Sequence, residues 1–172
     1  MAQIIGFVNQ KGGVGKTTST INVARYLAEF GKRVLLVDLD PQGNASSGLG
    51  IQKDGIEKNL YHAMIMGVPP QEIIYATDTE NLHIIPAAQD LAGAEIEMIH
   101  LDGREFRLHN VLRVLRPHYD YILIDSPPSL GLLTINGLVA SDGVIIPVQT
   151  EYYALEGLSQ LLGTIELVRE RL

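Results

Sequence analysis

The segment Gln10-Lys11-Gly12-Gly13-Val14-Gly15-Lys16-Thr17-Thr18 concentrates amines, backbone-lending glycines and hydroxyls in one short stretch. It follows an apolar run, Ile4 to Val8, and opens a helical pattern from Thr17 to Phe30. A strand, a glycine-rich turn and a helix start make an anion site. The turn's N–H groups converge on a phosphate, and the positive end of the helix dipole lies beneath it. Gly12, Gly13, Val14 and Gly15 would lend amides to a β-phosphate, Lys16 would bridge the β- and γ-phosphates, Thr17 would ligate Mg²⁺, and Thr18 would contact the α-phosphate. This is the chemistry of a nucleoside triphosphate site.

Carboxylates at two further places complete that chemistry. Asp38 and Asp40 follow the apolar run Val34–Val37, and Asp125 follows Tyr121–Ile124. Acidic groups at strand C-termini sit where α/β sheets hold their ligands. Asp38 and Asp40 suit the organisation of metal-bound and attacking water, and Asp125 suits a water-mediated hold on Mg²⁺. Ser126-Pro127-Pro128 stiffens the loop that follows.

The elements that must position these groups are legible as alternating patterns. Ile4 to Val8, Val34 to Val37, Leu82 to Ile85, Tyr121 to Ile124 and Val144 to Val148 are nearly continuous apolar runs, as expected of parallel strands covered on both faces. Helices are expected over Thr17–Phe30, closed by Gly31, and Leu60–Met66, closed by Gly67. Others are expected over Leu91–Met98, Glu105–Leu115, Leu132–Val139 and Leu155–Arg171. This alternation predicts an α/β fold: one domain over residues 1–172, a doubly wound and mostly parallel sheet with right-handed crossovers. Asp40 to Gly55, rich in glycine and polar residues, is expected to be a mobile loop.

The strict phosphate-loop pattern requires glycine five residues before Gly15, where this chain has Gln10, and a second lysine, Lys11, stands inside the loop. The run Lys11 to Thr18 resembles the deviant Walker A loop of the ParA/MinD ATPases, a SIMIBI-type branch of the P-loop NTPases. Val37-Asp38-Leu39-Asp40-Pro41-Gln42-Gly43-Asn44 resembles switch I of ParA/Soj partition proteins. Ile122-Leu123-Ile124-Asp125-Ser126-Pro127-Pro128 resembles their Walker B strand and switch II, and Pro147 to Gly157 is also typical of them.

The resemblance implies an ATP- and Mg²⁺-dependent switch that forms a nucleotide-sandwich homodimer. Lys11 would reach the partner subunit's phosphates in trans, as an arginine finger does, an effect worth ~10³–10⁵ in rate in related systems. Asp40 would position or activate the attacking water with Asp38 as its support, and Glu151 and Tyr152 would line the dimer face. Catalysis would rest on Lys11, Lys16 and Asp40; Thr17, Asp40 and Asp125 would serve the metal. The dimer would bind DNA without sequence preference, and a ParB-like partner would stimulate slow hydrolysis. Relatives of this kind generally run on for several more strands and helices. A purine-recognition loop and C-terminal basic residues for DNA are therefore expected beyond this segment, which alone should bind DNA weakly and leave a sheet edge unpaired.

Composition narrows the classes. The chain has 172 residues, 46% hydrophobic and 19% charged, with net charge −7 and no cysteine. That excludes a disulfide framework, thiolate metal sites and a cysteine-held iron–sulfur cluster on this fold. The charge argues against a general nucleic-acid-coating surface. Arg104, Arg107, Arg113 and Arg116 scatter around a helix and read as a solvated amphipathic surface. No apolar run approaches the ~20 residues of a membrane span, and a cytoplasmic location is expected. The histidines lack metal-ligand spacing. Two alternatives share the loop: a MinD-like division-site ATPase, whose C-terminal amphipathic helix and switch I differ, and a metabolic synthetase, for which no substrate pocket is signalled.

Overall fold

The computed structural model describes residues 1–150 and 154–172. Its centre is a sheet in the order β3-β4-β2-β5-β1-β6. The strands are β1 (Gln3–Phe7), β2 (Val34–Asp38), β3 (Tyr75–Ala76), β4 (Leu82–Ile85), β5 (Tyr121–Asp125) and β6 (Gly143–Ile145). All neighbouring pairs are parallel except β3 with β4. The helices are α1 (Lys16–Glu29), α2 (Asn44–Gly48), α3 (Leu60–Met64), α4 (Leu91–Met98), α5 (Arg107–Leu115), α6 (Leu132–Ala140) and α7 (Ala154–Arg171).

The uniform apolarity of β2 has a simple cause. Its side chains alternate between two cores. Leu35 and Val37 join Ile4, Ile85, Ile122 and Ile124 under α3 to α6, whereas Val34 and Leu36 join Phe7, Ile84 and Leu123 under α1 and α2. With helices on both faces, a central strand has no solvent side to mark with polar residues. Beyond β1, α7 seals a third cluster of Val8, Leu138 and Leu161.

Topology then places the chemistry. The chain leaves β1, crosses to β2, and later returns to lay β5 between them. The loops after β1, β2 and β5 therefore emerge side by side at one sheet edge, the crevice where α/β folds bind ligands.

Several expectations need correction. The segment from Asp40 to Gly55 is not simply a loop: α2 forms within it, with Ala45, Ser46 and Leu49 buried. Burial of those few side chains against α1 and β2 outweighs a composition that reads as irregular. The last strand ends at Ile145, not Val148, and β3 was too short to signal itself. α5 starts at Arg107, preceded by a 3₁₀ turn over Arg104–Phe106. The arginines there are not all merely solvated. Arg104 donates to Glu105 and to the Ile99 carbonyl, and Arg116 to Asp142 and the Ala2 carbonyl. β6 lies at an outer edge of the sheet. Glu151 and Tyr152, expected at a dimer face, lie outside the described residues.

Candidate functional site: a phosphate-loop pocket

Gly13 and Gly15 carry φ of +75° and +88°, left-handed values that glycine adopts without Cβ strain. Gly15 sits immediately before α1, so the chain turns from loop to helix there, and Ser19 N–H donates to its carbonyl. The turn leaves a pocket of about 430 Å³ lined by Gly12, Gly13, Gly15, Lys16, Thr17, Thr18, Asp40, Asn44 and Pro128. Of the sequence-derived set, Gly12, Gly13, Gly15, Lys16, Thr17, Thr18 and Asp40 line it, and Asp125 does not. Val14 is half-buried in the same loop outside that lining, and Lys11 is exposed.

The two lysines differ sharply in setting. Lys16 opens α1, is 7% exposed, and its Nζ donates to the Lys11 carbonyl at 3.3 Å. Burial lowers its pKa, opposed by the nearby charges of Asp125 and Asp40. Lys11 is exposed, and its backbone N–H donates to Asn9 Oδ1 at 2.9 Å.

Asp125 lies behind the lining residue Thr17. It is fully buried at the end of β5; Thr17 Oγ1 donates to one carboxylate oxygen at 2.7 Å and Thr20 Oγ1 to the other at 3.2 Å. Burial nevertheless raises its pKa to about 6, the two hydroxyls and Lys16 counteracting. Asp38, its register partner on β2, is also fully buried. It accepts from Asp40 N–H at 3.2 Å and from Ser46 N–H and Oγ–H at 2.8 and 2.7 Å. Burial raises it to about 7 in spite of those bonds. Asp40 is 8% exposed and accepts from Gln42 N–H at 3.0 Å, so its carboxylate is turned by its own tight bend toward the pocket it lines.

Sequence reading missed Thr20 and Ser46 as site components, and gave Asn44 and Pro128 only as members of the two switch segments. Thr20 had a signal, since residues three apart share a helix face with Thr17. Ser46 had none, because its partners are Asp38 at the end of β2 and the N–H of Ala87, 41 residues away. Among the described residues, no group of three His, Cys, Asp or Glu side chains is placed to hold a metal. The donor set of threonine hydroxyl and carboxylates beside a phosphate cradle fits Mg²⁺ nonetheless, because that ion keeps waters and is held largely by substrate phosphates.

The pocket at the switch point, with its glycine turn leading into α1, defines an α/β P-loop nucleotide-binding fold. Residues 2–172 match the family described as AAA domain. The chain is 59% identical over 172 residues to the sporulation initiation inhibitor protein Soj of Bacillus subtilis, covering 68% of that protein. It is 56% identical to the chromosome partitioning protein ParA of Myxococcus xanthus, covering 61% of it. It therefore belongs to the Soj/ParA branch of the AAA-domain family, and spans 61–68% of the length of these relatives. A solved cobyrinic acid a,c-diamide synthase from Mycobacterium smegmatis, bound to an ATP analogue and magnesium, superposes with TM-score 0.95 at 41% identity, covering 99% of this chain and 68% of that one. Among the described residues, no helix is long and apolar enough to cross a membrane.

Proposed function

We propose that this chain is the nucleotide-binding part of an ATP-driven dimerisation switch that segregates chromosome or plasmid DNA. The single observation that carries the reading is the contrast in burial between two lysines of one loop. Lys16 is buried, while Lys11, five residues earlier, is exposed.

In this reading, amides of Gly12 to Gly15 and the Lys16 ammonium take the β- and γ-phosphates, and Thr18 takes the α-phosphate. Thr17, with Asp125 and Asp40 through water, would hold Mg²⁺, which supplies neutralisation of phosphate charge when bound. Asp40, oriented by Asp38 through the shared N–H bond, positions the attacking water and takes its proton. Lys11 from each subunit reaches the other's nucleotide, so hydrolysis waits on pairing. The dimer, in the complete protein, binds DNA through basic residues outside this acidic segment, and a ParB-like partner stimulates turnover. The protein acts in the cytoplasm. Support comes from the identity to Soj and ParA and from the geometry of the pocket.

A biosynthetic ligase is the second reading, favoured by the similarity to the mycobacterial synthase. It predicts ATP turnover that requires an organic co-substrate and ignores DNA. Measuring ATP hydrolysis with duplex DNA and a ParB-type protein, against a panel of carboxylic acids with an amine donor, separates the two.

A further inference from the structure

Gln10 occupies the place of the first glycine in the strict phosphate-loop pattern, and its side chain leaves the loop altogether. Its Nε2 donates to the Gly157 carbonyl at 3.0 Å and to Gln160 Oε1 at 3.1 Å, both on α7. Two further amides tie the loop to residues just after β6. Asn9 Nδ2 donates to the Pro147 carbonyl at 2.8 Å, and Gln149 Nε2 donates to the Gly13 carbonyl at 3.1 Å. The phosphate loop is therefore tied on both sides of Lys11, to Pro147 and Gln149 after β6 and to Gly157 and Gln160 on α7. The fit at α7 is close: a Cβ on Gly157 would stand 3.0 Å from Gln10 Nε2, so the helix offers glycine where the glutamine amide arrives.

α7 packs at the sheet's periphery. Leu161 is fully buried beside Val8 and Leu138, with Ile165 and Val168 partly buried against the same cluster, while Leu162 and Leu167 are nearly half exposed. A peripheral element opens more readily than the core, and its opening responds to small energies.

We infer that Gln10 is a positioning residue that couples phosphate binding on the loop to docking of α7. The loop's amides converge on a phosphate in only one backbone arrangement, and the Gln10 bonds fix the residue directly before Lys11. A ligand that favours this arrangement therefore favours the docked helix. By linkage, loosening the helix weakens the ligand by the same factor. The inference rests on this loop's binding nucleotide, and it adds a response at a helix none of whose described residues lines the pocket.

The test compares the parent chain with Gln10→Ala and Gln160→Ala, using Mg·ADP and a non-hydrolysable Mg·ATP analogue. Nucleotide affinity is measured by calorimetry, and hydrogen exchange is followed at the amides of residues 158–170. In the parent, nucleotide slows exchange across α7. Gln10→Ala abolishes that nucleotide-dependent protection and weakens binding about 5–10-fold, the effect of a lost amide hydrogen bond. Gln160→Ala, remote from the phosphates, weakens binding in the same direction but less, because the Gly157 carbonyl remains. A merely structural Gln10 would speed α7 exchange equally with and without nucleotide. Parent protein that binds nucleotide with no change at α7, or variants that keep full protection, overturns the coupling alone. Parent protein that binds neither nucleotide overturns the proposed function together with it.

Discussion

Asp38 and Asp125 stand side by side as register partners on β2 and β5, both fully buried, and each serves a different half of the site. Asp125 gathers the hydroxyls of Thr17 and Thr20 from α1. Asp38 gathers the backbone of Asp40 and both donors of Ser46, pinning the start of α2. The two carboxylates thus share one desolvated floor at adjacent strand ends.

That floor should make stability depend on pH in the direction opposite to ordinary surface carboxylates. Asp38 and Asp125 have folded-state pKa values raised to about 7 and about 6, so the folded protein retains protons that the unfolded chain releases near pH 4. Unfolding free energy in the absence of nucleotide and Mg²⁺ therefore falls as pH rises from about 4 to about 7, by at most ~4 kcal/mol for Asp38, and levels off above. Because the carboxylates interact, the loss is read as one transition of the pair. Thermal melts at pH 5 and pH 8 check it: Asp38→Asn should flatten most of the difference. Asp120 acts with the reverse sign. Its exposed pair with Arg33 lowers it to about 2, and its small contribution is lost as pH falls from 4 through 2.

Thr20 should matter to the fold although it lies outside the pocket lining. It is fully buried and bonds both the Lys16 carbonyl and Asp125. Thr20→Val keeps the volume but leaves a buried carboxylate oxygen short of a donor, so urea unfolding should show a loss of roughly 1–3 kcal/mol. Thr17→Val should in addition reduce Mg²⁺-dependent nucleotide binding, which Thr20→Val should affect far less.

Ser126, directly after Asp125, carries a buried hydroxyl with no hydrogen-bond partner, and it packs against α6 at Gly137. A Cβ on Gly137 would lie 3.1 Å from Leu39 Cδ2 and 3.3 Å from Ser126 Oγ. Gly137→Ala should destabilise by about 1–3 kcal/mol through overpacking. Ser126→Ala should be neutral or stabilising by up to ~1 kcal/mol, since it removes an unsatisfied buried polar group. Combined, the two changes should cost less than their sum, because they relieve one contact; chemical denaturation of all four proteins in the cycle measures this.

How far the sequence could be read follows from which interactions are local. β2, β4 and β5 announce themselves because strands buried on both faces must be apolar throughout, and the glycine turn announces itself because Gly13 and Gly15 need left-handed backbone. The segment after Asp40 misleads because Gly43, Asn44, Ser46, Ser47 and Gly48 favour turns locally. Its order comes instead from Ala45 and Leu49 in the core and from Ser46 on Asp38. The arginines of the α5 region misled for a related reason. Arg116 meets Asp142, 26 residues away, and no periodicity encodes a partner at that distance. Gln10 read only as a departure from the glycine pattern, because Gly157 and Gln160 are distant in the chain.

The two lysines give the most direct test of the account. Light scattering on the complete protein carrying Asp40→Ala, which should bind ATP without hydrolysing it, is predicted to show a stable dimer with Mg·ATP and a monomer without it. Adding Lys11→Ala should leave nucleotide affinity within about threefold yet return the protein to a monomer, whereas Lys16→Ala should abolish binding itself. A dimer that survives Lys11→Ala with ATP bound, or one that forms equally without nucleotide, would contradict the assignment of Lys11 to the neighbouring subunit's phosphates.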